Sequence, residues 1–296
     1  MKLVYENALQ KLNGFDALSI EIAENLAEND VVETIGEFVD FINFNIEEGK
    51  FPHISKPFNE KYLRDAVAEA QKEVYNIVQS VDVDNTMYPK RLLRSEIDSP
   101  SRLFYKGNLN NLKRRSIMIT GSYEVSRNAE YAAKFYGNLF ASNGYNMLTT
   151  LASGCEKSSM SGCSKAKGNC TFFLPHSLKH LSLGETNAIK KGQDDGRTTA
   201  LSVSREAKCN TSSIQEAYRY VAALADCLIV PQLSFHDDVF NFIRSFFNTP
   251  KPVYFIQYKN TNNEYDCKTY LEPLGLQYLI SDTALETVQN AIGKAK

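Results

Sequence analysis

A chain of 296 residues that is 43% hydrophobic and 23% charged has the composition of a soluble globular protein, with room for one large domain or two ordinary ones. No apolar run approaches the roughly 18 residues that span a bilayer, and the opening MKLVYENALQKLNGFD holds no apolar signal-peptide core, so neither a membrane protein nor an exported one is expected. The net charge of −2 hides an asymmetry: residues 1–85 carry 17 Asp/Glu against 7 Lys/Arg, while residues 86–296 carry 18 against 26, an acidic cap on a basic body suited to an anionic partner.

The first 80 residues repeat apolar side chains at three-to-four spacing and predict helices only: VYENALQKL, DALSIEIAENLAEN, VVETIGEFVDFINFNIEEG and NEKYLRDAVAEAQKEVYNIVQ. Asp16 and Asn59 stand at expected N-cap positions, and Pro52 and Pro57 punctuate the region before the last helix. The pattern ends near SVDVDNTMYPKRLL. An acidic all-helical domain is therefore expected over residues 1–85 and a second domain over 86–296.

From residue 116 the pattern alternates. SIMIT, YNMLTT, CTFFLP, TTALSV, DCLIVP and KPVYFIQ are short, apolar and β-rich, as strands buried on both faces are. Helical patterns fall between them at about 127–142, 154–167, 212–225 and 237–247, and LGLQYLISDTALETVQNAI reads as a final strand and helix. The expected fold is α/β: a Rossmann-like, doubly wound, mostly parallel sheet preceded by a small all-α N-terminal domain. Six cysteines, at 155, 163, 170, 209, 227 and 267, form no C-x-x-C pair and read as reduced, mostly buried thiols of a cytoplasmic protein.

Three features carry candidate chemistry. In TGSYEVS, Gly121 permits a sharp turn after a strand, Ser122 and Ser126 offer hydroxyls, and the following helix aims free N–H groups at the turn, which suits a phosphate or carboxylate. The turn is neither a G-x-x-x-x-G-K-[ST] nor a G-x-G-x-x-G loop, and a plain strand–helix turn looks the same. In TTLASGCEKSSMSGCSKAKG, residues 149–168, a second strand end meets a helix at Gly154, with Ala152 and Ser153 before it and Glu156 and Lys157 in its first turn; close packing through small residues is the plainer alternative. The third feature is a basic set: Lys113, Arg114 and Arg115, with Lys90, Arg91 and Arg94 upstream and Lys157, Lys165 and Lys167 on the second helix. Along one groove these would bind a phosphate backbone in a salt-sensitive way. Tyr123 and Phe104 are candidates to stack bases, though packing is the plainer role for each. His176 and His180 lack a third ligand nearby, so no metal is expected, and no Ser-His-Asp set or H-E-x-x-H motif is present.

Together these segments resemble the DNA-processing protein family, DprA (also called Smf), part of a wider group of Rossmann-like nucleotide-binding domains. MYPKRLL followed by IDSPSRLFYKGNLNNL is similar to the family's Tyr-Pro opening and its P-x-x-L-f-x-k-G-n-l phrase. TGSYEVS is similar to V-G-S-R-x-x-S. TTLASGCEKSSMSGCS aligns without gaps on S-G-L-A-R-G-I-D-x-x-A-H-x-x-A-L, keeping Leu151, Ala152, Gly154 and an acid at Glu156. AYRYVAALADCLIV falls on R-N-R-I-I-a-g-L-s-d-a-v-l-V and keeps Arg219. LNGFD resembles the L-p-G-i-G hairpin of a degenerate SAM or helix-hairpin-helix-like domain, with Asp16 in place of its second glycine.

The resemblance implies a non-enzymatic protein without cofactor. It would bind single-stranded DNA on the Rossmann-like domain, form a homodimer and help load a RecA-type recombinase in DNA processing and recombination. By it, Gly121, Ser122, Ser126, Gly154 and Arg219 fall on the nucleic-acid pocket together with Ala152 and Ser153. Lys113, Arg114, Arg115, Lys157 and Arg219 would engage phosphates, and Tyr123 would stack a base. The departures are Tyr123 and Ser153 in place of the arginines of the two loops, Met160 in place of a histidine, and Ala217 and Tyr218 in place of part of the arginine–asparagine block. Each lost arginine removes a charge-assisted contact worth about 1.5–3 kcal/mol. Three alternatives stand beside this reading. One is a binder or sensor of a nucleotide-derived small ligand in the same pocket. Another is a hydrolase releasing a base from a nucleotide, whose P-G-G-x-G-T-x-x-E motif is missing where the chain reads VPQLSFHDD. The last is a scaffold for oligomers.

Overall fold

Four helical segments, three of them with side-chain N-caps, build the N-terminal part of the computed structural model, which describes residues 3–27, 32, 34–93, 99–204, 208–258 and 265–294. Arg94, one of the basic candidates, lies outside the described residues. The chain divides into two units, residues 1–77 and 78–296. The first holds helices α1 (Leu3–Leu9), α2 (Ala17–Leu26), α3 (Ile35–Glu47) and α4 (Glu60–Asn76). Asp16 caps α2 by accepting from Ser19 N–H, Asn59 caps α4 by accepting from Lys61 N–H, and Thr34 with Glu37 forms a reciprocal capping box on α3. Leu9, Phe38, Ile42 and Leu63 close the core of this unit. No described helix in the chain is long and apolar enough to cross a membrane.

The second unit is a nine-stranded sheet, with β1 (Gln79–Asp82), β2 (Arg102–Gly107), β3 (Ser116–Ile119), β4 (Asn146–Thr149), β5 (Asn169–Phe173), β6 (Thr198–Ser202), β7 (Cys227–Val230), β8 (Val253–Ile256) and β9 (Gln277–Leu279) in the order β1-β2-β6-β5-β4-β3-β7-β8-β9. Strand β2 runs antiparallel to β1 and β6, and the rest pair in parallel. All six expected strands and the final one are present. Strands β1 and β2 were not foreseen, because QSVD and RLFYKG are half-exposed and carry charge, without the continuous apolar run of the buried strands. Val81 pairs with Leu103, so the sheet begins ahead of residue 85.

The helices of this unit are α5 (Lys90–Leu93), α6 (Arg127–Ser142), α7 (Cys155–Lys165), α8 (Leu183–Lys190), α9 (Thr211–Leu224), α10 (Phe240–Phe246), α11 (Lys268–Leu271) and α12 (Ala284–Lys294). Because side chains alternate along a strand, Ile117 and Ile119 of β3 enter one core with residues of α6, α7 and α12, while Met118 enters the other with residues of α9 and α10. Helices α6 and α7 approach so closely that a Cβ on Gly137 would lie 2.2 Å from the Ser159 carbonyl oxygen. The chain steps outward from β3 through β4 and β5 to β6, then returns to β7 and steps the other way through β8 to β9. The reversal between β3 and β7 leaves a crevice at the carboxyl ends of these strands, the usual ligand position of such sheets.

The far end of α9 is held by two cations. Arg91 donates to the Leu224 carbonyl at 2.8 Å and pairs with Asp226 at 2.9 Å. Lys251 donates to the carbonyls of Ala222 and Ala223 at 2.6 and 2.8 Å, which satisfies the open end of the helix. Burial lowers the Lys251 ammonium to about 8. The unfolded chain then binds more protons than the folded one between pH 8 and about 10.5, so this group's contribution is full above that window and is lost as pH falls through 8. The stability difference between wild type and Lys251→Met, followed by urea unfolding, should therefore shift in favour of wild type as pH rises from 8 to 10.

Candidate functional site

Three loops meet at the crevice, and two glycines allow it. Gly121, after β3, lies so close to the loop after β7 that a Cβ would sit 2.0 Å from the Gln232 carbonyl oxygen. Gly154, before α7, has φ 69°, and its Cβ would sit 2.1 Å from the Ser122 and 2.5 Å from the Tyr123 carbonyl oxygens. Ser122 N–H donates to the Gln232 carbonyl at 2.9 Å, and Cys155 N–H donates to the Ser122 carbonyl at 3.2 Å. The turns at Gly121 and Gly154 are thereby locked backbone to backbone, as two halves of one site.

The serine hydroxyls of the first turn are already engaged. Ser122 donates to the Asp237 carboxylate at 2.6 Å, and the same oxygen accepts from Ser234 N–H at 2.7 Å. Asp237 thus places an internal anion against the turn, and its stretch is a turn ahead of α10, although the sequence pattern predicts helix from 237. Ser126 caps α6 by accepting from Ala129 N–H at 3.1 Å, while its own N–H donates to the Gln232 side chain at 2.8 Å. Gln232 in turn donates to the Glu124 carbonyl at 3.1 Å.

Behind the turns lies a buried carboxylate. Glu156 is 1% exposed. One of its oxygens accepts from the hydroxyls of Thr120 at 2.8 Å and Tyr218 at 3.0 Å. The other accepts from the Thr149 hydroxyl at 2.7 Å, Thr150 N–H at 2.7 Å and the Thr150 hydroxyl at 3.0 Å. These donors come from the ends of β3 and β4 and from α9. Leu151, next in the second loop, sits at φ 64°, a left-handed conformation uncommon for leucine. Tyr123 and Tyr218, two of the departures from the family pattern, lie near each other. Burial raises both phenols above the ordinary tyrosine value, and the Glu156 charge raises Tyr218 further, so both stay protonated at neutral pH. Pattern reading missed this network, since Thr120 and Tyr218 lie far from Glu156 in sequence; the threonines at two strand ends were the available signal.

The basic candidates do not converge. Lys157 is exposed in the first turn of α7, close to the second loop, whereas Lys165 lies in its last turn and Lys167 beyond it. Arg219 is exposed on α9, while its neighbour Tyr218 points to Glu156. Lys113, Arg114 and Arg115 precede β3 and stand at the amino edge of the sheet. The length of a four-residue strand, about 13 Å, separates them from the turn at Gly121. Arg114 and Arg115 border a separate cleft there with Tyr145 and Gln289. Arg91 is spent on α9, and Lys90 is exposed. Ala152 is half-buried and Ser153 exposed in the second loop, and Phe104 packs partly buried against the core. His176 bonds Glu185 at 2.7 Å and His180 is exposed; among the described residues no metal-ligating cluster exists. Around Tyr123 the nearby charges are those of Glu156, Asp237 and Asp238.

Glutamine at 156 keeps its one oxygen for the fixed Thr150 N–H, turns its NH2 toward the Thr120 and Tyr218 hydroxyls, which must then accept instead of donate, and removes the charge that strengthens the remaining bonds. Glu156→Gln should lower stability by about 2–3 kcal/mol and Tyr218→Phe by about 1 kcal/mol in urea unfolding.

The model of the family described as DNA recombination-mediator protein A matches residues 79–266. Among solved structures, the chain is similar to DNA processing protein A from Streptococcus pneumoniae, at 19% identity and TM-score 0.61 over 97% of this chain and 98% of that one. It is also similar to DNA processing protein A from Helicobacter pylori, whose structure is described by its single-stranded DNA binding mode, at 19% identity and TM-score 0.57 over 73% of this chain and 95% of that one. No curated protein matches the chain.

Proposed function

The chain belongs to the family of DNA recombination-mediator protein A, and on that premise we propose that it binds single-stranded DNA at the three-loop crevice, as a non-catalytic factor of cytoplasmic DNA processing and recombination. The observation that carries the reading is the family match across the strands and loops that form the crevice. In this reading the backbone at Gly121 and Gly154 lies along the strand, Tyr123 stacks a base, and Lys157 and Arg219 meet phosphates. A second copy of the chain and a RecA-type recombinase are the protein partners it implies. The arginines missing from both loops make the contact weaker and the aromatic share larger.

One observation favours a second reading, a nucleotide-derived small ligand in the same crevice. The charges near Tyr123 are acidic and the Ser122 hydroxyl already holds a carboxylate, so room for a run of phosphates is limited.

Fluorescence anisotropy of a labelled single-stranded oligonucleotide separates the two. The expected result is binding at low salt that falls steeply as salt rises, with Lys157→Glu and Arg219→Glu each flattening the logarithmic salt slope by about 0.7. Absence of binding at micromolar protein and low salt, with thermal stabilisation by mononucleotides, would overturn the DNA reading in favour of the small ligand.

A further inference from the structure

A second recess lies beside the three-loop crevice, between α7 and α8, with a volume of about 370 Å³. That size falls within the range of clefts that hold small organic molecules. Its walls are of two kinds. Leu151, Met160, Phe172 and Ala188 supply an apolar bed. Lys157, Lys191 and Arg197 supply three cations at its border, and among the described residues no carboxylate lines it. The bed ends in two thiols, Cys163 and Cys170, which add a soft, polarisable surface.

Arg197 is the best placed of the cations. Its Nε donates to Asp195 at 2.6 Å and another guanidinium nitrogen donates to the Lys191 carbonyl at 3.2 Å. The fork is therefore held in place before any ligand arrives, which reduces the ordering cost of binding. Lys191 and Lys157 are exposed, and their long, flexible stems suit them to follow an anionic group at the mouth. Gly184, in the first turn of α8, has no atom within 4 Å of where a Cβ would stand, so the mouth is open on that side.

We propose that this cleft is a ligand site in its own right, taking a small organic anion whose apolar body rests on Met160, Phe172 and Ala188 and whose charged group meets Lys191 and Arg197. It does not depend on nucleic acid at the three-loop crevice. The division of the walls sets the class: inorganic anions leave the bed uncovered, and neutral apolar molecules leave the exposed Lys157 and Lys191 without a ligand charge.

The test uses anilinonaphthalene sulfonate, a fluorescent arylsulfonate with that division of charge and body. The full chain should bind it saturably, one to one. Ala188→Trp, which fills the bed, should abolish the fluorescence gain. Lys191→Glu, an exposed change that leaves the fold alone, should weaken binding by about tenfold or more. Near-UV circular dichroism checks that each variant keeps its packing. Displacement of the dye by adenosine monophosphate supports a planar body, and displacement by decanoate an alkyl one. Non-saturating dye binding, or binding by folded Ala188→Trp and Lys191→Glu equal to that of wild type, overturns the proposal.

Discussion

The carboxylate of Glu156 is the interaction on which the crevice depends. It is buried, and a buried charge without partners is costly enough that it would neutralise or break the fold around it. Here five donors converge on it, from Thr120 at the end of β3, Thr149 and Thr150 at the end of β4, and Tyr218 on α9. Each strand end would otherwise splay from its neighbours into the connecting loop. The carboxylate draws the two ends and the helix to one point, and that point fixes where Gly121 and Gly154 bring their loops together. Removing one donor leaves four; removing the acceptor leaves five groups without a buried partner, so the cost is concentrated in Glu156.

A site built this way has its geometry supplied and its charge already used. Helix N-termini and tight glycine turns at a topological switch point attract anions. In this chain the first such anion is Asp237, which holds Ser122 and Ser234 N–H together. The positions at which the resembling family carries arginine hold Tyr123 and Ser153. Tyr123 lies near Tyr218, and its protonated phenol stands where a cationic side chain would raise the local potential. Phenols hydrogen-bond and stack, but they do not release counterions. The crevice keeps the shape of an anion site, and in the proposed reading Lys157 and Arg219 supply its charge.

Much of this fold was legible because buried parallel strands are written as short apolar runs. SIMIT, DCLIVP and KPVYFIQ each became a strand with both faces covered, and the helix over residues 127–142 has the bounds that its periodicity gave. Caps were equally legible: Asp16 and Asn59 bond the helix starts that they precede. Strand β1 at the edge and β2 beside it escaped because one face is half-exposed and the alternation is interrupted by Arg102 and Lys106. At the site, the two glycine turns stood out through local rules, since each is a strand, a small residue and a helix in succession. The Glu156 network did not, because two of its donors, Thr120 and Tyr218, are 36 and 62 residues away and only the fold makes them neighbours. Nor did the sequence separate Lys113–Arg115 from the turn six residues later. A basic cluster next to a loop in sequence is one strand length away in a parallel sheet, at the opposite edge.

That separation bears on how the second unit meets anything anionic. Its surplus of cations is distributed by the fold over distinct places: the amino edge at Arg114 and Arg115, the end of α9 at Arg91 and Lys251, and the α7–α8 side at Lys157, Lys191 and Arg197. Those at the end of α9 are consumed by carbonyls and by Asp226. Those at the amino edge are a strand length from the loops and face a different partner or solvent. What remains on the crevice side is the exposed Arg219 of α9 and the group by α7 and α8, with Lys157 next to both recesses. An anion at the three-loop crevice and one between α7 and α8 would therefore draw on the same lysine. The positive potential of this face, absent from the net charge of −2, is set by which side of the sheet the crossover helices take.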